Sequence, residues 1–362
     1  MTRKSFPIEP VPAPSNTAAT YLPAEWMPQS GVMLTWPRTQ GPWGEQQGSV
    51  EAVFVKLARE IALRELALIV VEHEQERDRI ARELRVHGVE STRVRFAIAP
   101  SNDVWARDHG PVCVSRQGQP VLLDFRFNGW GRKYPFDEDD RITGRLFEQR
   151  VFNDQVAIES VELVLEGGSI ECDGAGTLLT TARCLLSPAR NPKLTQAAIE
   201  GRLRDCLGVS RVLWLEHGFL AGDDTDSHID TLARFCDPET IACVSCPDSE
   251  DEHHEEIAAM VSELAALRTS QGQAYRIVPL PWPRAKLNAA GERLPATYAN
   301  FLIINEAVLV PVYDDPADHE ALERLAGCFP GRDIVAVPAL PLIHQYGSIH
   351  CVAMQLPQGV IA

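Results

Sequence analysis

Among 362 residues, 45% of them hydrophobic, there is no apolar run of the roughly eighteen residues that a helix needs to cross a bilayer, which excludes a helical membrane span. A secretory signal is lacking too, because the basic start at Arg3 and Lys4 runs into FPIEPVPAPSNTAATYLP, with no continuous apolar core. These absences lead us to expect a soluble, cytoplasmic protein. Positive charge is scarce: 34 lysines and arginines face 50 acids, for a net charge of −16. That balance disfavours nucleic acid and anionic membrane as partners and slightly favours a small cation. The nine cysteines are odd in number and come without an export signal, so reduced thiols are expected rather than a disulfide framework. The C-x-x-C of Cys243 and Cys246 has no second pair and no following redox helix, and the histidines show no ligand spacing. No metal and no cofactor are therefore expected, and Cys243 and Cys246 read as core.

What is present is a recurring order. Pro7, Pro10, Pro12 and Pro14 make residues 1–20 an extended leader, and residues 21–362 read as one domain. Val50, Val53, Phe54, Leu57 and Ile61 recur at helical spacing, with Ser49 as the expected cap, and LALIVV at 66–71 follows as a buried strand. A helix from Gln75 to Val86 feeds the strand TRVRFAIA; one from Thr195 to Cys206 feeds VSRVLWL; one from Asp318 to Cys328 feeds DIVAVP. Beyond these three strands lie Asp108, His228 and Cys351, each a reactive type, which looks like internal repetition. A fourth unit, a helix from Glu252 to Leu267 and the strand YRIVPL, leads instead into a long loop and then a hairpin of NFLII with AVLVPVY. Repeated α/β units whose post-strand loops converge suggest a closed or radial α/β domain with a central site. The acidic run DSEDEHHEE, with His253 and His254, reads as a solvated helix start.

Four stretches carry more polar chemistry than folding requires. Gly347-Ser348-Ile349-His350-Cys351-Val352 reads as the entry of a strand, in which His350 and Cys351 would face opposite ways, so Cys351 is the candidate nucleophile and His350 not its base. A buried cysteine on a strand is ordinarily core, and only the company it keeps argues otherwise. NDVWARDHGPV offers Trp105 and Asp108, the latter equally readable as a turn residue paired with Arg107. LEGGSIECDG sets Glu166 before Gly167 and Gly168, where backbone can approach closely. AGDDTDSHIDTLARF carries Asp223, Asp224, Asp226, His228 and Asp230; it lacks calcium-loop spacing, and in an extended segment His228 and Asp230 share a face. A thiol nucleophile, a histidine for proton transfer and several carboxylates suit a planar cation such as guanidinium, which carboxylates can pair bidentately. A papain-like amide hydrolase fits less well, since so many acids suit a cation and not a neutral amide.

The strings VWARDHGPV, LEGGSIECDGAGTLLTT, GDDTDSHIDTLARF, YANFLIIN and GSIHC resemble those of the agmatine deiminase family, close to the bacterial peptidylarginine deiminases of the pentein superfamily. The resemblance runs from about Tyr21 to Gln355. It implies an α/β propeller of five pseudo-repeats around a central site, with Cys351 as nucleophile, His228 as acid and base, and Asp108 and Asp230 as guanidinium-binding carboxylates. It also implies Glu166 as a further site acid, Trp105 as a lining residue and Asp224 at the distal end of the substrate. Agmatine is the implied substrate and N-carbamoylputrescine with ammonia the products, arginine or peptidyl-arginine being the alternative; a non-catalytic polyamine-binding module is a distant one. Whether the assembly is a homodimer stays open. The family commonly has glycine where Ser227 stands and Gly-Gly-Gly-Asn where Gln345-Tyr346-Gly347-Ser348 stands, so Tyr346 and Ser348 are expected to alter the pocket rim.

Overall fold

In the computed structural model, which describes residues 20–39 and 41–362, the apolar runs become the middle strands of small sheets. The leader, but for Thr20, lies outside the described residues. Five sheets have three or four strands and share one plan. The third joins Ile170–Cys172 antiparallel to Thr177–Thr181, which then pairs in parallel with Arg211–Leu215. The fourth does so with Ala233–Asp237, Thr240–Val244 and Arg276–Leu280, and the fifth with Leu302–Ile304, Ala307–Val312 and Asp333–Pro338. The second follows suit with Val112–Arg116, Gln119–Arg126 and Ala157–Val164, edged by Thr20–Tyr21. A parallel pair cannot be closed by a tight turn, so each of these needs a crossover, here the helices Ile142–Glu148, Gln196–Leu207, His254–Ala266 and Asp318–Cys328.

The first sheet is built from both ends of the sequence. Ala353–Pro357 pairs antiparallel with Gln29–Thr35, setting Ala353 opposite Leu34, and Leu66–Val71 and Val94–Ile98 extend the sheet in parallel. Its crossover helix, Gln47–Ala62, buries the predicted face of Val50, Val53, Phe54, Leu57 and Ile61 completely or nearly so. Each such side chain contributes about 1.5–3 kcal/mol. Ser49 lies inside that helix and not at its cap, because a 3₁₀ turn at Gly44–Gln46 extends it upstream. By contrast Thr195 does cap Gln196–Leu207, its hydroxyl accepting from the Ala198 amide at 3.3 Å.

Two local expectations change. The turn holding Ile349 to Val352 is closed by the Ala353 amide on the His350 carbonyl at 3.1 Å, so the strand begins only at Ala353 and Cys351 sits on a turn. His253 is not solvated: it is buried at the start of His254–Ala266, its ring stacked on Phe219 and its Nδ1 2.6 Å from Asp251. Both cysteines of the C-x-x-C are buried as expected. Among the described residues no helix is long and apolar enough to cross a membrane.

Candidate active site

Every segment that leaves a parallel strand for the next sheet brings a polar group toward one place. From the first sheet comes the one-turn helix Ala106–His109 with Asp108; from the second, Glu166 and the 3₁₀ turn Gly167–Ser169; from the third, His228 and the turn Ile229–Thr231 with Asp230. The fifth brings Cys351. The fourth brings Asn300, which the sequence reading placed at the head of the hairpin run NFLII and gave no role in the site. Its side-chain oxygen accepts from the His350 amide at 3.0 Å and lies 3.4 Å from the Cys351 sulfur, so it shapes the turn that carries the thiol. The signal was present, since the reactive residues of the other units stand just ahead of the first strand of the next sheet, and Asn300 stands just ahead of Leu302–Ile304.

Gly168 shows how tightly the groups converge. A Cβ at this position would lie 2.7 Å from His228 Nδ1, 2.8 Å from Asp108 Oδ1 and 3.1 Å from Asp230 Oδ2, so only glycine lets the three meet. Asp108 and His228 pair at 3.6 Å, while Asp108 also accepts from the Gly168 amide at 3.1 Å and the Trp130 indole N–H at 3.0 Å. Asp108 is thus oriented by Trp130 and not by Arg107, which turns the other way to Gln355 and Glu25. The Cys351 sulfur stands 4.0 Å from Asp230 Oδ2. His228 and Asp230 sit on a 3₁₀ turn and not on an extended strand, yet they still converge.

All four groups are at least nine-tenths buried, and that sets their acidity. Burial lifts the Asp108 carboxyl to about 6, with the Asp230 and Glu166 charges adding to it against the pull of His228. Burial opposes a charge on His228, but Asp108, Cys184 and Glu166 outweigh it and hold its imidazolium well above the ordinary range. Burial likewise opposes the Asp230 carboxylate, and the His350 hydrogen bond outweighs it and lowers the pKa. The Cys351 thiol is pushed well above its usual value by burial, then by Asp230 and Asp108. Two buried polar atoms in this cluster have no partner, His228 Nε2 and Asp230 Oδ1. Unmade hydrogen bonds at that depth are costly and mark where a ligand's polar groups would go, a donor on Asp230 Oδ1 and an acceptor on the protonated His228 Nε2.

The other predicted residues lie around this centre. Glu166 is wholly buried and receives both its hydrogen bonds, at 2.9 Å, from Arg190 Nε, while Arg190 also bonds Asp226 at 2.6 Å; the pairing with Arg190 was not foreseen. Trp105 packs its indole where a Cβ of Gly347 would fall, 2.1 Å from its ring, which explains a glycine there. Asp224 is only partly buried; it accepts from the Tyr134 hydroxyl at 2.7 Å, and its carbonyl from Lys133. Asp223 is a turn former, bonded to the Thr225 and Ser227 amides. Glu166, Cys184 and His228 each offer a ligand atom within 4.8 Å of the others, a grouping no linear spacing reveals. Arg190 holds both Glu166 oxygens, and its charge opposes a cation there.

The departures from the family pattern have a physical reading. Ser227 and Tyr346 both have left-handed backbone, at φ 67° and 69°, which glycine adopts freely and other residues only with strain. Ser348 does not reach the rim as expected: it is buried, its hydroxyl 3.0 Å from that of Tyr313.

Known proteins resemble the chain over nearly its whole length. Residues 21–357 match the family model of Porphyromonas-type peptidyl-arginine deiminase. A solved structure from Porphyromonas gingivalis, provisionally named an arginine deiminase, is 46% identical with a TM-score of 0.88, covering 95% of this chain and 100% of that one. A cysteine-to-serine variant of the C. jejuni agmatine deiminase, with substrate bound, is 32% identical with a TM-score of 0.86, covering 94% of this chain and 97% of its own. A relative in Pectobacterium atrosepticum, provisionally named agmatine deiminase, is 35% identical over 93% of this chain and 94% of its own. The fold is thus the mixed α/β fold of these deiminases, and the chain belongs to the Porphyromonas-type peptidyl-arginine deiminase family.

Proposed function

We propose that the protein is a cofactor-free hydrolase that converts agmatine and water to N-carbamoylputrescine and ammonia. The observation that carries this reading is the convergence of Cys351, His228, Asp108 and Asp230 at Gly168, with His228 Nε2 and Asp230 Oδ1 left without partners. A guanidinium set between Asp108 and Asp230 presents its carbon to the sulfur while the two carboxylates hold its charge. As the guanidinium binds, the Cys351 thiol loses its proton to solvent and the thiolate forms the S–C bond; the tetrahedral adduct then loses one C–N bond, and the His228 imidazolium protonates the departing ammonia. The resulting amidino-thioether is attacked by a water that His228 deprotonates, and C–S cleavage returns the thiol and yields the ureido product. Glu166, held by Arg190, supports the His228 charge, and Trp105 walls the site beside Gly347. On this reading residues 21–362 are one catalytic domain, and the five sheets are five blades of a pentein-type propeller around the site.

The relatives named agmatine deiminase support agmatine; the family's name and the 46% identical neighbour support arginine or peptidyl-arginine as the second reading. Ammonia release from agmatine, arginine and a peptide with C-terminal arginine separates them, and we expect agmatine to be fastest. Faster release from either arginine substrate would replace agmatine, and agmatine binding without any release would leave a polyamine-binding protein. Asp224, at the rim, is the acid we assign to the distal amine. Asp224→Asn should therefore weaken agmatine use more than use of an alkylguanidine lacking that amine; equal losses would place Asp224 elsewhere. We expect a cytoplasmic protein that takes neither nucleic acid nor membrane as partner.

The raised Cys351 pKa makes a further consequence readable. In the free protein the thiol stays protonated as pH rises past neutrality, and thiolate forms only when a cation offsets Asp108 and Asp230. Chloroacetamidine, which brings such a cation, should alkylate Cys351 faster at pH 8 than neutral chloroacetamide does, each rate being taken relative to a small free thiol. An excess of roughly 10–100-fold is expected, equivalent to one or two pH units in thiol acidity. Equal normalised rates, with modification sites mapped by peptide mass spectrometry, would show that the two carboxylates do not govern the thiol.

A further inference from the structure

The sequence suggested that His350 faces away from the chemistry, but the turn brings it to the same carboxylate that Cys351 approaches. His350 Nδ1 lies 2.7 Å from Asp230 Oδ2, the oxygen that stands 4.0 Å from the Cys351 sulfur. Its Nε2 lies 2.8 Å from Glu25 Oε2. All three side chains are buried.

Resting on the function proposed above, we propose that His350 is a positioning residue for Asp230: its Nε2–H is fixed on Glu25, which leaves Nδ1 to share one proton with Asp230 Oδ2. Asp230 then meets the guanidinium through Oδ1, and the line Asp230–His350–Glu25 bears one negative charge fewer against Cys351.

The proton count follows from the donors around Glu25. Its Oε1 accepts from the Ile303 amide at 2.7 Å and its Oε2 from Arg234 at 2.9 Å, so Glu25 acts as an acceptor on both oxygens and the proton between it and His350 belongs to Nε2. A neutral imidazole with Nε2–H has a bare Nδ1, and a bare lone pair 2.7 Å from a carboxylate oxygen is repulsive. A second proton therefore lies between Nδ1 and Asp230. The surroundings balance it. Arg234 also bonds Glu171 at 2.7 Å, and Arg107 stands 3.6 Å from Glu25, so Glu25, Glu171 and Asp230 face Arg107, Arg234 and the His350 proton. Burial, with Arg107 and Arg234, outweighs Glu25 and the Asp230 hydrogen bond and lowers the His350 pKa, so the shared proton is not held by the ring alone. From the other side Asp230 faces His228, and Cys351 faces Asp108 and Asn300. The arrangement also accounts for the orphaned Asp230 Oδ1, since the other oxygen is already occupied.

Two measurements test this without needing turnover. In protein labelled with ¹⁵N-histidine, the ring of His350, assigned through the His-Cys linkage at 350–351, should show Nε2 protonated and Nδ1 in a short, shared hydrogen bond. A ring with bare Nε2 would overturn the proposal even if no variant folds. In His350→Gln the pH midpoint for Cys351 alkylation should rise, because the line gains negative charge, and in Glu25→Gln it should fall; a purely structural role would move neither. Turnover by His350→Gln should drop on the order of 10²-fold, the loss expected from a misplaced binding carboxylate, and chiefly in kcat. An unmoved midpoint in folded His350→Gln would refute the inference. Absence of guanidine hydrolysis in the unaltered protein would count against the proposed function instead, since the ring protons and the thiol midpoints can be read regardless.

Discussion

Cys351→Ala should release no ammonia from agmatine, yet melt close to the unaltered protein and still bind the substrate. On the proposed mechanism the sulfur forms the covalent adduct; Cys184, the other thiol near His228, is grouped with Glu166 and not with Asp108 and Asp230. Folding loses little, because a side chain as small as this one, on a turn held by Asn300 and the Ala353 amide, costs on the order of 1 kcal/mol to shorten. Binding should survive because the proposed guanidinium-binding carboxylates, Asp108 and Asp230, stay in place when the thiol is removed. Ammonia assays, thermal melts and calorimetric titration with agmatine read the three parts separately. Residual turnover well above background would exclude Cys351 as the nucleophile.

The second large effect concerns His228. His228→Ala should lose about 10²–10⁴-fold in rate, the usual contribution of a positioned acid and base. The loss should have a chemical signature, because in the proposed mechanism the histidine acts twice: it protonates the departing ammonia and later deprotonates water. With that second role gone, an amidino-thioether should accumulate on Cys351 after mixing with agmatine and quenching, visible by intact mass and mapped by peptide mass spectrometry. Loss of the Asp108 pairing at 3.6 Å adds to the effect, since Asp108 then has one partner fewer to keep it ionised near its pKa of about 6. Activity that depends on ionised Asp108 should fall with acid through that value in the unaltered protein, and earlier on the way down, at higher pH, in the variant. An adduct mapped to another cysteine would sink the mechanism.

Much of this architecture is legible in the sequence because its signals are local. Helix Asp318–Cys328 and strands Leu66–Val71 and Asp333–Pro338 fall where apolar periodicity places them, and the hairpin Leu302–Ile304 with Ala307–Val312 is marked by its two apolar runs. The site residues that could be named all stand beside a motif: glycines after Glu166, acids around His228, a glycine ahead of Cys351. What escaped is what depends on distance through space. Trp130, Arg190 and Glu25 reach the site from segments with no chemical pattern of their own, and Asn300 looks like any polar residue before a strand. The orientation of His350 was misjudged because a strand alternates its side chains and a turn does not, and no composition rule separates the two over six residues.

The pairing of Ala353 with Leu34 also has a meaning for how the protein comes to be active. It is a contact of very high sequence separation, and such contacts form late because the entropy of closing the intervening chain must be overcome before they stabilise anything. The strand Ala353–Pro357 leads directly out of the turn that carries Cys351, so the thiol is placed only when that circuit closes. A chain in which that pairing had not yet formed would lack the Cys351 sulfur beside the acids and His228, though Cys184 would still stand near the histidine. If Cys351 is the nucleophile proposed above, an incomplete chain is expected to lack its reactive thiol for a topological reason, the late closure of this one pairing.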